Sequence, residues 1–233
     1  MSSEGKCIKI RYHGHACFSI EWRDSVIVID PHDGDSIGKW PKPSVKGDLI
    51  LVTHNHFDHN AVNLVVKDDS MIVRSFAGKE TLNLKGKPVV LEGYRVPHDR
   101  LGGVRRGLTS VYRLWLDDII VIHMGDIGTM TCRELFKKLA NPRPDVLMVP
   151  VGGNFTIEPF EAWEVVEKLN PVIAIPMHFW VPGVRLPMAP VNEFLAAAKT
   201  GRELVEREYI YCKKEQASDK PKIIVIRVPR VRY

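Results

Sequence analysis

Through the first half of the chain, apolar positions either alternate with polar ones or gather in short β-branched runs. Cys7 to Tyr12, Ala16 to Trp22, Ser25 to Ile29, Leu49 to Thr53, Met71 to Phe76, Val89 to Val96, Ser110 to Trp115 and Ile119 to His123 are punctuated by Gly, Pro and Asp and predict strands. Helical spacing becomes strong only later. Thr131 to Ala140 opens with a Thr and carries Glu134 three residues on, which predicts a helix with a Thr N-cap. Glu158 to Leu169 sets Trp163, Val166 and Leu169 three apart on one face, and Pro190 to Lys199 is a third helical stretch. Between them, Asp145 to Val151, Val172 to Pro176 and Ile223 to Val228 are short apolar runs with the look of buried strands. A strand meander followed by alternating strand and helix predicts an α/β fold of sheets sandwiched by helices. There is no internal repeat or low-complexity segment, and Trp40 to Pro43 is the most linker-like stretch.

Composition narrows the class. With 233 residues, 45% hydrophobic and 26% charged, the chain is neither disordered nor fibrous and suffices for one large domain or two tightly fused halves, of which a single domain over 1–233 is expected. Its four cysteines, Cys7, Cys17, Cys132 and Cys212, form no CxxC pair, so no disulfide framework is expected. The polar opening Met1 to Lys6 does not resemble a signal peptide, and no apolar run is long enough to cross a bilayer; a soluble, cytoplasmic protein without a membrane partner is expected. Thirty-three Lys and Arg against 28 Asp and Glu leave a net charge of +5, compatible with an anionic substrate. The basic residues are spread along the chain, with local groups at Arg100, Arg105 and Arg106 and at Arg227, Arg230 and Arg232; the terminal group reads as a solvated tail.

The chemistry concentrates after the run Leu49 to Thr53, in His54-Asn55-His56-Phe57-Asp58-His59, where four potential ligands occupy six positions. Residues two apart in an extended segment point the same way, so His54 and His56 can close on one metal ion. Once the chain turns, Asp58 and His59 can face a second. Further ligands must arrive from elsewhere, and His98, Asp126 and His178 each stand where an apolar strand gives way to a loop.

The HxHxDH motif at His54, His56, Asp58 and His59 resembles that of the metallo-β-lactamase fold superfamily, with Pro97-His98, Gly125-Asp126 and Met177-His178 matching its later metal motifs in order. The segments Gly14-His15-Ala16-Cys17-Phe18, Asp30-Pro31 and Pro150 to Thr156 look like its branch of ascorbate-6-phosphate lactonases and related hydrolases. The resemblance implies a four-layer αββα sandwich, two mixed sheets flanked by helices. It further implies that His54, His56 and His98 hold one metal, Asp58, His59 and His178 a second, and Asp126 bridges them. Asp126 stands where true β-lactamases commonly place a Cys, which argues against antibiotic hydrolysis, and His56 stands where di-iron redox members carry Glu.

The expected activity is that of a dinuclear metal-dependent hydrolase acting on a small anionic ester, lactone or phosphoester through a metal-bridging hydroxide, with Asp58 and Asp126 as catalytic residues. Zinc is favoured, and manganese or iron also suits these ligands. A phosphodiesterase or ribonuclease of the same fold is the alternative within hydrolysis; nucleic acid is not favoured, because RNA calls for a broader basic track. A non-hydrolytic metal or redox protein is the alternative from another class. Around the metals, Asp30 is a candidate acceptor for a ligand imidazole or else a turn Asp before Pro31, and His15 is a candidate for reaching the metal-bearing edge. Asn154 and Thr156 are candidate pocket residues, and Arg100, Arg105 and Arg106 a candidate anion clamp. His123 reads as a packed strand residue. A homo-oligomer is compatible with all of this.

Overall fold

The computed structural model describes residues 7–213 and 218–227. Met1 to Lys6, Val228, Arg230 and Arg232, on which some expectations fall, lie outside the described residues.

Two mixed sheets organise the chain. The first contains β1 (Cys7–Gly14), β2 (Cys17–Trp22), β3 (Ser25–Ile29), β4 (Leu49–Val52), β5 (Met71–Arg74) and, from much later in sequence, β13 (Glu208–Cys212), in the order β13-β1-β2-β3-β4-β5. The second contains β6 (Gly78–Leu84), β7 (Lys87–Pro97), β8 (Leu108–Leu116), β9 (Ile119–His123), β10 (Val146–Pro150), β11 (Ile173–Met177), β12 (Arg202–Glu206) and β14 (Lys222–Arg227), in the order β12-β14-β11-β10-β9-β8-β7-β6. Hairpins make β6 to β9 antiparallel; β9, β10, β11 and β14 run parallel because helices carry the crossovers.

Alternation explains the burial of the first sheet. Ile27, Ile29, Leu49 and Leu51 join the large core cluster, while their neighbours Val28, Ile50 and Val52 join Cys17, Val62 and Val65 in a smaller one on the opposite face. That outer face is covered by a 3-10 turn at Val62–Leu64 rather than by a regular helix. Among the described residues, the three α-helices, α1 (Arg133–Leu139), α2 (Pro159–Leu169) and α3 (Val191–Ala197), all come later. Both α1 and α3 pack on α2, which lies on β10 of the second sheet. The two mixed sheets with helices outside them form the expected α/β sandwich, with one outer layer thin.

Three differences from the expectations are physical. Cys7 and Cys212 are joined by a disulfide across β1 and β13, although no framework was expected; 205 residues separate them, so only the pairing of the two strands brings them together. The strands β6, β12 and β13 were not anticipated: all three lie at sheet edges and are only partly buried, β6 and β12 are rich in charged residues, and β13 is five residues long. The N-cap of α1 is Cys132 rather than Thr131, whose hydroxyl lies 3.1 Å from that of Thr129. By contrast α2 begins as expected, with Glu158 and Glu161 in a reciprocal capping box and Pro159 in the first turn.

Candidate metal centre

The ligand-type residues stand just past the C-terminal ends of strands or, for His56, Asp58 and His59, in the loop that follows β4. His54 follows β4, His98 follows β7, Asp126 follows β9 and His178 follows β11. Parallel neighbours direct their carboxyl ends to one side, so chain segments distant in sequence deliver side chains to a common crevice. Close backbone approach helps fix them. A Cβ on Gly128 would lie 2.4 Å from the carbonyl carbon of His98, and one on Gly152 would lie 2.1 Å from the carbonyl oxygen of His178. His15, Asp30 and His178 have left-handed φ values of 54°, 48° and 54°, a conformation that costs energy outside glycine and recurs at functional sites.

The side chains converge in two groups. His54, His56 and His98 bring their ligand atoms within 4.8 Å of one another, and so do His15, Asp58, His59 and His178. Asp126 lies between the groups. Its Oδ2 is 3.1 Å from His59 Nε2 and 3.2 Å from His178 Nε2 on one side, and 3.4 Å from His98 Nε2 and 3.9 Å from His54 Nε2 on the other.

A set of neighbouring groups fixes how these imidazoles face. Asp30 accepts Thr53 N–H at 2.7 Å and the Thr53 hydroxyl at 2.6 Å, and lies 3.0 Å from His59 Nδ1. With Nδ1 turned to the carboxylate, His59 presents Nε2 to the centre. His54 Nδ1 lies 3.0 Å from the Thr53 hydroxyl and 3.3 Å from that of Thr109, which likewise turns Nε2 inward. His15 Nε2 lies 3.0 Å from Asp58 Oδ2. His123 is bound away from the centre, 2.9 Å from the Ala16 carbonyl.

Donor chemistry fits a cation here. His54 Nε2 and Asp126 Oδ1 are buried without a hydrogen-bond partner, an arrangement costly for polar atoms unless something binds them. Burial, then the nearby His59, pushes the His54 pKa down to about 2; burial also lowers that of His98. Both stay neutral, as a ligand must. Burial opposes the charge on Asp126, yet His178 and His59 hold its carboxyl well below the usual range. For His59 burial favours the neutral form, but Asp126, Asp58 and Asp30 together hold the pKa well above the ordinary value. Negative charge placed among buried imidazoles is the balance a divalent ion would complete.

Comparison with known proteins agrees. The β-lactamase superfamily domain model matches residues 9–178, a stretch that contains every ligand-type residue above. The chain belongs to the metallo-β-lactamase superfamily. A UPF0173 metal-dependent hydrolase of Thermococcus kodakarensis is 33% identical over 196 residues, covering 75% of this chain and 87% of that protein. One from Thermofilum pendens is 31% identical over 222 residues, covering 84% and 95%. Among solved structures, one from Thermotoga maritima, described as a Zn-dependent hydrolase of the superfamily, superposes with a TM-score of 0.70 at 28% identity, covering 94% of this chain and 98% of that one. This chain is a metal-dependent hydrolase of the superfamily.

Beside the candidate ligands of this metallo-β-lactamase-fold hydrolase lies a cavity of about 230 Å³, lined by His56, Phe57, Asp58, His98, Arg106, Asp126, Phe155, His178 and Leu186. Only one of the three clamp arginines reaches it. Arg100 is drawn instead to Glu161 of α2, at 2.9 and 2.6 Å, and Arg105 is exposed outside the lining. Nor do Asn154 and Thr156 line the cavity: Asn154 Nδ2 donates to the Pro187 carbonyl at 3.0 Å, and the buried Thr156 hydroxyl to that of Ile157 at 3.3 Å. Phe155 between them does line it. Phe57, Phe155, Leu186, Thr53 and Thr109 were not singled out in the sequence. The first and fourth adjoin the ligand motif and offered a signal; Leu186 offered none. Among the described residues no helix is long and apolar enough to cross a membrane.

Proposed function

We propose that this hydrolase works with two divalent ions, zinc foremost and manganese or iron also suited, on a small anionic ester, lactone or phosphoester. The reading treats 1–233 as one catalytic domain. His54, His56 and His98 would hold one ion, Asp58, His59 and His178 the other, and Asp126 would be shared. The observation that carries it is the position of Asp126 Oδ2, within 3.1 to 3.4 Å of imidazoles from both groups. When bound, the two ions would lower the pKa of a water between them and offset charge developing on the substrate oxygen.

The chain's own residues supply the rest. Burial of Asp58 favours its neutral form, but His59 and the bond from His15 outweigh this and keep it ionised, able to orient the attacking water and accept its proton. Asp30 holds His59 in one orientation, so the ligand need not reorganise during turnover. A small substrate is favoured over RNA because the cavity lining contains a single Lys or Arg. Metal analysis of the fully loaded protein tests the reading: about two divalent ions per chain are expected, falling with hydrolysis on titration with a chelator. One ion per chain at full activity would remove the dinuclear mechanism.

A further inference from the structure

Arg106 occupies an unusual place for a surface-loop arginine. It lines the metal-side cavity, and its guanidinium carbon sits 4.4 Å from the centre of the Phe155 ring. Among the described residues, no carboxylate engages that guanidinium, whereas Arg100 of the same loop is held by both oxygens of Glu161. The ring covers one face of the guanidinium and leaves its N–H edges available.

The loop that presents it is built around Asp99. Its Oδ1 accepts Leu101 N–H at 2.7 Å and Gly103 N–H at 3.0 Å; its Oδ2 accepts Arg105 N–H at 2.9 Å and Arg106 N–H at 2.8 Å. Four backbone donors gathered on one carboxylate set the position of the Arg106 backbone before any ligand arrives. Gly103, at φ 90°, and Gly107, at φ 77°, supply the turns this wrapping needs.

We propose that Arg106 is the specificity-determining residue of this centre, positioned by Asp99 and Phe155, and that it selects a small carboxylate-bearing ester with a short apolar body. This rests on the hydrolase reading above and narrows its substrate. One arginine fork matches the two oxygens of one carboxylate. A phosphate monoester carries close to two charges and three acceptor oxygens, and no second Lys or Arg lines the cavity to meet them. The other walls, Phe57, Phe155 and Leu186, suit an apolar body, and about 230 Å³ is less than the roughly 300 to 1,000 Å³ of sites for drug-sized ligands.

The test uses metal-loaded protein and two readouts. In the first, benzoate, its neutral isostere benzamide, and phenylphosphonate are titrated calorimetrically into the wild type, R106Q, R106K and D99N, with metal content and melting temperature measured for each. R106Q is expected to weaken benzoate by roughly tenfold or more and to leave benzamide within about twofold, with R106K recovering part of the loss. In the second, hydrolysis of the monophenyl ester of glutarate is compared with that of phenyl pentanoate. R106Q and D99N should raise KM for the charged ester only, with kcat kept. The double variant should be no worse than R106Q, because Asp99 acts through Arg106; a separate structural role would add its own loss.

Equal losses for benzoate and benzamide, no loss for either, or a loss for phenylphosphonate at least as large as for benzoate would each overturn the assignment. If R106Q weakens benzoate selectively but neither ester is turned over, the ester substrate class proposed above falls and the carboxylate site stands. If both esters turn over without a preference that depends on Arg106, the reverse holds.

Discussion

Two loops contribute to the lining of the cavity and are built in opposite senses. In His54 to His59 the titratable side chains turn inward while Asn55 and Phe57 are exposed: His54, Asp58 and His59 are buried and their atoms are held by Thr53, Asp30 and His15. In Asp99 to Gly107 the one carboxylate turns inward to gather backbone N–H groups, and the arginines leave in three directions, to Glu161, to solvent and to Phe155. The difference follows from side-chain length. An imidazole or carboxylate on a tight turn inherits its direction from the backbone, so spacing alone decides what it can reach. A guanidinium at the end of a flexible stem goes to whichever partner repays its loss of freedom, and that partner is chosen by the tertiary fold.

The largest effect expected from breaking this comparison lies on the ligand side. Asp126→Ala removes the carboxylate shared by both groups, and a loss of activity well beyond 100-fold is expected with the fold retained, since ligands should outweigh the roughly 10- to 100-fold of their supporting groups. Activity, metal content and circular dichroism measured together check it; near wild-type turnover with two ions bound would end the shared role. Next in size is Asp30→Asn, one layer out. It keeps the shape but weakens the acceptor for His59 Nδ1, and a roughly 10- to 100-fold loss of metal affinity or activity is expected. An unchanged metal affinity would make Asp30 merely the residue that ties β3 to Thr53.

The same difference in side-chain reach sets what could be read from the chain. The ligand motif and the strand ends bearing His98, Asp126 and His178 were legible, because apolar strands such as β9 and β11 announce where they stop. Ser25–Ile29 and Ile119–His123 have the observed bounds. What could not be read depends on pairing across long separations. Strand β6, with Lys79, Glu80 and Thr81 exposed, exists because β7 pairs with it over its whole length. Strand β12 is similarly charged and β13 is a short edge strand, and with β13 went the partner that places Cys212 beside Cys7. Asp99 adjoins the proposed ligand His98 in plain view, but nothing in its neighbours says that its carboxylate serves the backbone rather than a metal.

A smaller effect probes how the remote ligands are held. At Gly152→Ala the new Cβ would meet backbone, the carbonyl oxygen of His178, at 2.1 Å, so one of the two segments must move. A destabilisation of about 1 to 3 kcal/mol is expected, with reduced metal occupancy. Urea unfolding and metal analysis check it; normal stability with full occupancy would show that this approach does not position His178.

The smallest effect concerns Arg100, and it decides whether the arginine loop acts as one cluster or as three separate residues. Both guanidinium ends of Arg100 meet the Glu161 carboxylate, yet the arginine side chain is 55% exposed against 9% for the glutamate. Solvent screens such a pair, and Glu161 keeps a second bond, accepting Glu158 N–H at 2.8 Å at the start of α2. Arg100→Gln should therefore cost less than about 1 kcal/mol of stability, and it should leave KM for a carboxylate ester where it was. Thermal unfolding beside steady-state kinetics on the glutarate ester gives both numbers. A KM increase matching that of R106Q would mean that the loop meets the substrate as a group of cations, and the contrast drawn between the two loops would fail with it.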